Sequence, residues 1–172
     1  RNKEEQLFYT DNDIRSFLSG MAVSRLIILQ GMSGTGKSSL PRIFSEAISG
    51  FNRLIPVESS WRDKNELLGY YNEFNKIYTP KKFTQALYKA KLNSEVLTFI
   101  VLDEMNLAPV EQYFAEYLSV IESRKNKDGE IVTDAIIEKC AEQWYFDLTA
   151  KLTTNDDIRT RFMSEGITIP KN

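Results

Sequence analysis

The feature that most constrains this chain is an apolar run that stops at a cluster of glycines. The run is Leu26-Ile27-Ile28-Leu29, and Gly31-Met32-Ser33-Gly34-Thr35-Gly36-Lys37-Ser38 follows it. A short continuous apolar run is typical of a strand buried on both faces of a parallel sheet. Residues 37–49 then place apolar side chains at helical spacing, which predicts a helix directly after the glycines.

The rest of the chain alternates between predicted strands and predicted helices. Strands are expected at 54–57, where Pro56 indicates a sheet edge, and at 97–102; helices are expected at 62–69, 80–92, 110–123 and 131–146. Residues 70–78 are predicted to be an aromatic and polar link, and residues 124–129 a polar one. An N-terminal helical segment is predicted over 1–22, with Thr10 or Asp11 as its N-cap. This alternation indicates one α/β domain over residues 1–172, with a mostly parallel sheet flanked by helices.

The composition excludes several kinds of active site. The chain has 172 residues, a net charge of −2, no histidine and one cysteine, Cys140. Without histidine there is no Ser-His-Asp or Cys-His catalysis and no His-ligated zinc. One cysteine forbids an internal disulfide and fits a reducing, cytoplasmic compartment. The charge argues against a surface built to coat nucleic acid, and no apolar run approaches the roughly 18–20 residues that a membrane helix needs.

Residues 31–38 match the pattern G-x-x-x-x-G-K-[ST], which is typical of phosphate-binding loops. Glycines let the backbone turn its N–H groups toward phosphate oxygens, and the following helix adds its positive end. Lys37 is expected to reach the β- and γ-phosphates, and the Ser38 hydroxyl to bind Mg²⁺. The residues expected to contact the nucleotide are Gly31, Ser33, Gly34, Thr35, Gly36, Lys37, Ser38 and Ser39. The alternative is a glycine turn that matches by chance.

A second candidate motif ends the clearest predicted strand. Residues 97–102 are followed by two carboxylates, Asp103 and Glu104. An aspartate at the carboxyl end of a central strand can support Mg²⁺, and the adjacent glutamate can polarise the water that attacks the γ-phosphate. The pair therefore indicates hydrolysis rather than nucleotide binding alone. The alternative is a pair of solvated acids at a strand end.

The residues around this motif resemble the AAA+ domain of the McrB family, the motor subunits of modification-dependent restriction systems. The resemblance rests on Asp103-Glu104-Met105-Asn106-Leu107-Ala108, on residues 110–119, and upstream on Ser60-Trp61-Arg62-Asp63 and residues 67–72. It covers about residues 24–123 and lies within a broader group that includes MoxR and dynein-like motors. It implies an insertion around residues 58–80, a catalytic role for Glu104, a metal role for Ser38 and Asp103, and a nucleotide-side role for Asn106. For Asn106 the alternative is a structural asparagine of the loop.

The resemblance also implies a nucleotide-driven assembly. Members of this group hydrolyse ATP with Mg²⁺, McrB proteins use GTP, and their rings are often hexamers with an arginine supplied by the neighbouring subunit. A nuclease partner subunit cuts DNA in McrB systems. Residues 167–172 resemble the lead-in to the sensor-1 strand, so the resemblance implies a domain truncated before that strand. The sensor-1 residue, the arginine finger and the helical lid with sensor 2 then have no counterpart. In the family strand order 5-1-4-3-2 the missing fourth strand lies between the first and the third, and we expect either a fragment of a longer protein or an altered sheet.

Three questions stay open at the level of the sequence. The choice between ATP and GTP is undecided. A MoxR-like protein-remodelling ATPase and a non-hydrolysing nucleotide-binding module are the alternatives to the McrB-like motor. Aromatic and basic residues interleave between Trp61 and Phe83, which is typical either of a nucleic-acid surface or of an inserted segment packed on the core; packing is favoured.

Overall fold

A computed structural model describes residues 7–74, 77–137 and 166–170 of the chain. These residues contain six α-helices and three pairs of strands. The helices are α1 (Asp11–Val23), α2 (Ser39–Ala47), α3 (Lys64–Leu68), α4 (Lys82–Leu92), α5 (Val110–Tyr113) and α6 (Ala115–Glu122). The strands are β1 (Phe51–Pro56), β2 (Gly69–Asn72), β3 (Ile77–Pro80), β4 (Thr98–Asp103), β5 (Lys125–Lys127) and β6 (Glu130–Val132). No helix within these ranges has the length and apolar character needed to cross a membrane.

Strands β1 and β4 form the parallel sheet that supports the site. They pair in register from Phe51 opposite Thr98 to Pro56 opposite Asp103. Because parallel strands end at the same edge of a sheet, Asp103 and Glu104 lie at its carboxyl edge. Helices α2 and α4 pack against both strands. The predicted α/β class with a parallel sheet flanked by helices is therefore confirmed.

The apolar run 26–29 is not a strand, which corrects the sequence prediction. It forms no strand pairing among the described residues, and Ile28 is 79% exposed. A cavity of about 1040 Å³ is lined by this run on one side and by residues of β4 on another. A strand forms only where a neighbour satisfies its backbone N–H and C=O groups, and the cavity separates the run from β4.

Both segments predicted as links are β-hairpins. Strands β2 and β3 pair antiparallel across the first, and β5 and β6 across the second. The second turns at Asp128 and Gly129, whose φ angles of 53° and 86° suit a two-residue hairpin loop. The predicted helix 110–123 is divided at Phe114 into α5 and α6. The predicted helix 131–146 is wrong at its start, since β6 occupies it, and from residue 138 it lies outside the described residues, as does Cys140.

The aromatic residues from Trp61 to Phe83 are divided between the core and the surface. Trp61, Tyr78 and Phe83 are buried, and Trp61 and Phe83 pack edge-on against aromatic rings of α5 and α6. Buried rings cannot stack on bases, so these three side chains favour the packing interpretation. Tyr70 and Phe74 of the first hairpin are exposed.

Helix α1 begins with a reciprocal cap. The Thr10 hydroxyl accepts from the Asp13 N–H at 3.2 Å, and the Asp13 carboxylate accepts from the Thr10 N–H at 2.9 Å and from its hydroxyl at 2.7 Å. The Thr10 hydroxyl and N–H hold the pKa of Asp13 below its ordinary value of 3.8. The cap therefore depends on an ionised carboxylate.

This cap predicts a pH dependence of stability. Because the folded pKa of Asp13 is depressed, its stabilisation is present above pH 3.8 and is lost as the pH falls through the folded pKa. Asp13→Asn should lower the urea midpoint of unfolding at neutral pH. The difference in urea midpoint between the variant and the original chain should become smaller in acid. Glu95→Gln, in an exposed loop, is the matched control. A difference that stays constant with pH would contradict the prediction.

Candidate nucleotide-binding site

Two glycines shape the loop that precedes α2. Gly34 and Gly36 have φ angles of 78° and 84°, which residues with a side chain rarely adopt. The Gly36 carbonyl accepts hydrogen bonds from the N–H groups of Ser39 and Leu40, each at 3.0 Å. The loop therefore leads directly into the first turn of α2, where the helix presents its positive end.

The Lys37 ammonium lies over this loop. Its Nζ donates to the Met32 carbonyl at 2.5 Å, and the Thr35 hydroxyl donates to the same oxygen at 2.9 Å. A phosphate in the loop would offer the ammonium an anionic acceptor instead of a neutral one, and charge-assisted hydrogen bonds are the stronger kind. The loop thus holds a positive charge beside a row of backbone donors.

A hydrogen bond joins the two sequence motifs. The Ser38 hydroxyl donates to the Asp103 carboxylate at 2.5 Å, although 65 positions separate the two residues. The parallel pairing of β1 with β4 brings the end of β4 against the start of α2. Hydroxyl and carboxylate oxygens are the ligands that Mg²⁺ prefers.

These oxygens fit Mg²⁺ held together with a phosphate. Within the described ranges no group of three or more Asp, Glu, Cys or His side chains could hold a metal ion by itself. Magnesium in phosphate-transfer sites is commonly held by one or two protein oxygens, by phosphate and by water. Ser38 and Asp103 match that donor set.

Glu104 has an uncommon backbone conformation. Its φ of 53° and ψ of 46° are left-handed, and it turns the chain from β4 into a short 3-10 helix, Met105–Leu107. Such a conformation costs a residue other than glycine about 1–3 kcal/mol, and it occurs in turns and at active sites. The exposed Glu104 side chain lines the same pocket as Lys37 and Ser38.

Most of the predicted site residues line this pocket, which has a volume of about 420 Å³. Its lining is Leu7, Ser33, Gly34, Gly36, Lys37, Ser38, Ser39 and Glu104. Gly31, Asp103 and Asn106 line the larger cavity beside it, and Thr35 is held within the loop by Met32. Asn106 lies on the 3-10 helix and is exposed, so its role on the nucleotide side stays a prediction.

Two residues at this site carry no signal in the sequence. Leu7 lines the pocket, and the Tyr9 hydroxyl donates to the Gly36 carbonyl at 2.7 Å. Twenty-seven positions separate Tyr9 from Gly36, and no spacing rule connects them. Only the packing of α1 brings the segment before it to the loop.

One family model matches most of the chain. Its description is AAA domain (dynein-related subfamily), and it covers residues 26–163, which include both motifs. No curated protein matches the chain significantly. The match confirms the resemblance to the MoxR and dynein-like group and the fold of a P-loop nucleoside triphosphatase. With most of its 172 residues in that match, the chain belongs to the dynein-related subfamily of AAA domains.

Proposed function

We propose that the chain is the nucleotide-binding core of an AAA+ motor that binds and hydrolyses ATP with Mg²⁺, GTP being the alternative. The observation that carries the proposal is the hydrogen bond from Ser38 to Asp103. It places the end of β4 against the phosphate-binding loop, so that Lys37 and Glu104 line one pocket. A chance glycine turn would not be expected to meet a pair of carboxylates there.

Each residue then has a chemical role. The backbone N–H groups of the loop and the Lys37 ammonium bind the β- and γ-phosphates and stabilise the charge that develops on them. Ser38 and Asp103 hold Mg²⁺, which when bound offsets the negative charge of the phosphates. Glu104 orients the attacking water and accepts its proton.

We further propose a ring assembly of the McrB type. The Glu104 side chain is exposed, so the site is open on one side to a neighbouring subunit. An arginine from that subunit would complete the charge compensation of the transition state. A role in DNA restriction with a nuclease partner rests on the resemblance of residues 103–119, and a MoxR-like remodelling role is the alternative.

One observation favours a second candidate, a module that binds nucleotide without hydrolysing it. Among the described residues, the phosphate pocket is lined by one cationic side chain, Lys37, and by no arginine. Arginine at the transferring phosphate accounts for a large part of the rate in related chemistry. A chain acting in this way would bind ATP and release no phosphate from it.

Glu104→Gln separates the two candidates. If Glu104 activates water, the variant should release phosphate from ATP at least about 100-fold more slowly while binding ATP with near-original affinity. Phosphate release and fluorescent-ATP titration measure the two quantities. Glu111→Gln, an exposed glutamate on α5, is the matched control. Equal release by Glu104→Gln and the original chain would contradict the hydrolytic role.

A further inference from the structure

The segment before α1 lies over the phosphate-binding loop. We call residues 7–10 the N-terminal strap. Its Tyr9 hydroxyl donates to the Gly36 carbonyl at 2.7 Å, and Leu7 lines the phosphate pocket. A Cβ placed on Gly36 would lie 2.6 Å from the Tyr9 hydroxyl oxygen and 3.1 Å from the Leu7 Cδ2. The strap therefore packs directly on the bare backbone of this glycine.

The far end of the strap is fastened to the elements that carry the site. The reciprocal cap of Thr10 and Asp13 sets where α1 begins. Phe17 of α1 is buried, and its ring lies 5.5 Å from that of Phe44 on α2 and 6.2 Å from that of Phe99 on β4. Since α2 follows the loop and β4 ends at Asp103, the strap is held in a defined position relative to both motifs.

The hydrogen bond falls at the junction of loop and helix. The Gly36 carbonyl also accepts from the N–H groups of Ser39 and Leu40, so the Tyr9 hydroxyl is its third donor. The Gly36 carbonyl is thereby held both by the first turn of α2 and by Tyr9. Gly36 has a φ of 84°, and glycine by itself has little steric preference between positive and negative φ. The next residue is Lys37, whose backbone N–H belongs to the same planar peptide unit as the Gly36 carbonyl.

We propose that Tyr9 is a positioning residue for the phosphate-binding loop, holding the Gly36 peptide so that the loop donors and Lys37 converge on the phosphates. The proposal rests on the proposed nucleotide-binding function. Tyr9 acts through the loop and does not itself contact the phosphates. Its contribution must therefore appear with any polyphosphate, whether or not a base and ribose are attached.

Tyr9→Phe removes the hydroxyl and keeps the ring. We expect the variant to bind Mg²⁺-ATP and inorganic tripolyphosphate more weakly than the original chain, with both affinities lowered by the same factor. That factor should be about three- to tenfold, the usual effect of one lost neutral hydrogen bond. Calorimetric titration measures both ligands at a temperature where circular dichroism shows the variant to be folded. Tyr70→Phe, on the exposed first hairpin, is the matched control and should bind both ligands as the original chain does.

Lys37→Ala separates failure of this proposal from failure of the nucleotide site. If Lys37→Ala loses both ligands and Tyr9→Phe binds both normally, the proposal is overturned and the site stands. If Lys37→Ala binds both ligands normally, the site and the proposal fall together. A loss confined to ATP would overturn the proposal too, because Tyr9 would then act on the nucleoside. Should Tyr9→Phe not fold, Thr10→Ala loosens the strap instead; equal weakening of both ligands supports the proposal, and unchanged affinity overturns it.

Discussion

Replacing Lys37 with alanine is expected to lower the affinity for Mg²⁺-ATP by about 10- to 100-fold, the range for removing a hydrogen bond to a charged group. The side chain is partly exposed and its Nζ donates to one carbonyl of the loop. The substitution should therefore leave the folded chain intact while it removes the one cation that lines the phosphate pocket among the described residues. Titration with fluorescent ATP and GTP measures the loss and shows which base the original chain prefers.

Lys89→Ala is the matched control for this experiment. Lys89 is an exposed lysine on α4 that lines neither the phosphate pocket nor the larger cavity, and alanine suits a helix. The control removes the same net charge and should bind as the original chain does. Equal affinity of Lys37→Ala and Lys89→Ala would mean that the Lys37 ammonium does not meet phosphate, and the proposed function would be wrong.

Gly69→Ala is expected to have the largest effect on stability, lowering the free energy of unfolding by about 3–5 kcal/mol. Gly69 joins α3 to β2 with φ 115° and ψ 178°, a region open almost only to glycine. An added Cβ would lie 2.2 Å from the backbone oxygen of Thr79, a distance that requires the first hairpin to move. Urea unfolding followed by circular dichroism measures the change.

The backbone around Gly69 has little freedom to yield. The carbonyl of Leu68 accepts from the Tyr78 hydroxyl at 2.8 Å, from the Thr84 hydroxyl at 2.6 Å and from the Lys81 N–H at 3.1 Å. Gly129→Ala is the matched control, because Gly129 has a φ of 86° with open space where a Cβ would lie. It should cost only about 1 kcal/mol. If Gly69→Ala and Gly129→Ala lowered the free energy of unfolding by the same amount, the clash at Gly69 would be relieved without cost and the prediction would be wrong.

The two motifs could be read from the sequence because each is defined by local chemistry. A glycine loop before a helix and carboxylates after an apolar strand place their functional atoms within a few residues of the chain. Their meeting was expected from the resemblance, which implies that Ser38 and Asp103 serve the same metal ion. The contact between Ser38 and Asp103 agrees with that expectation.

The apolar run 26–29 shows where such reasoning fails. Its composition predicts a buried strand, but a strand is a relation between segments, and the described part of the chain offers this one no partner. The two hairpins show the reverse case. Residues 70–78, which mix aromatic and polar side chains, and the polar residues 124–129 were predicted to be links. Cross-strand pairing and, in the second segment, the turn at Asp128 and Gly129 make them β-structure.

Residue type and short spacing were enough to predict the class of the fold and to indicate the chemistry proposed for the loop and the carboxylate pair. That Tyr9 meets Gly36, that Gly69 lies against Thr79, and that a cavity lies between residues 26–29 and β4 could be seen only once whole elements were packed together. These features involve positions 10 to about 75 residues apart. Long-range contacts of this kind depend on how whole elements pack, and no local pattern of residues encodes them.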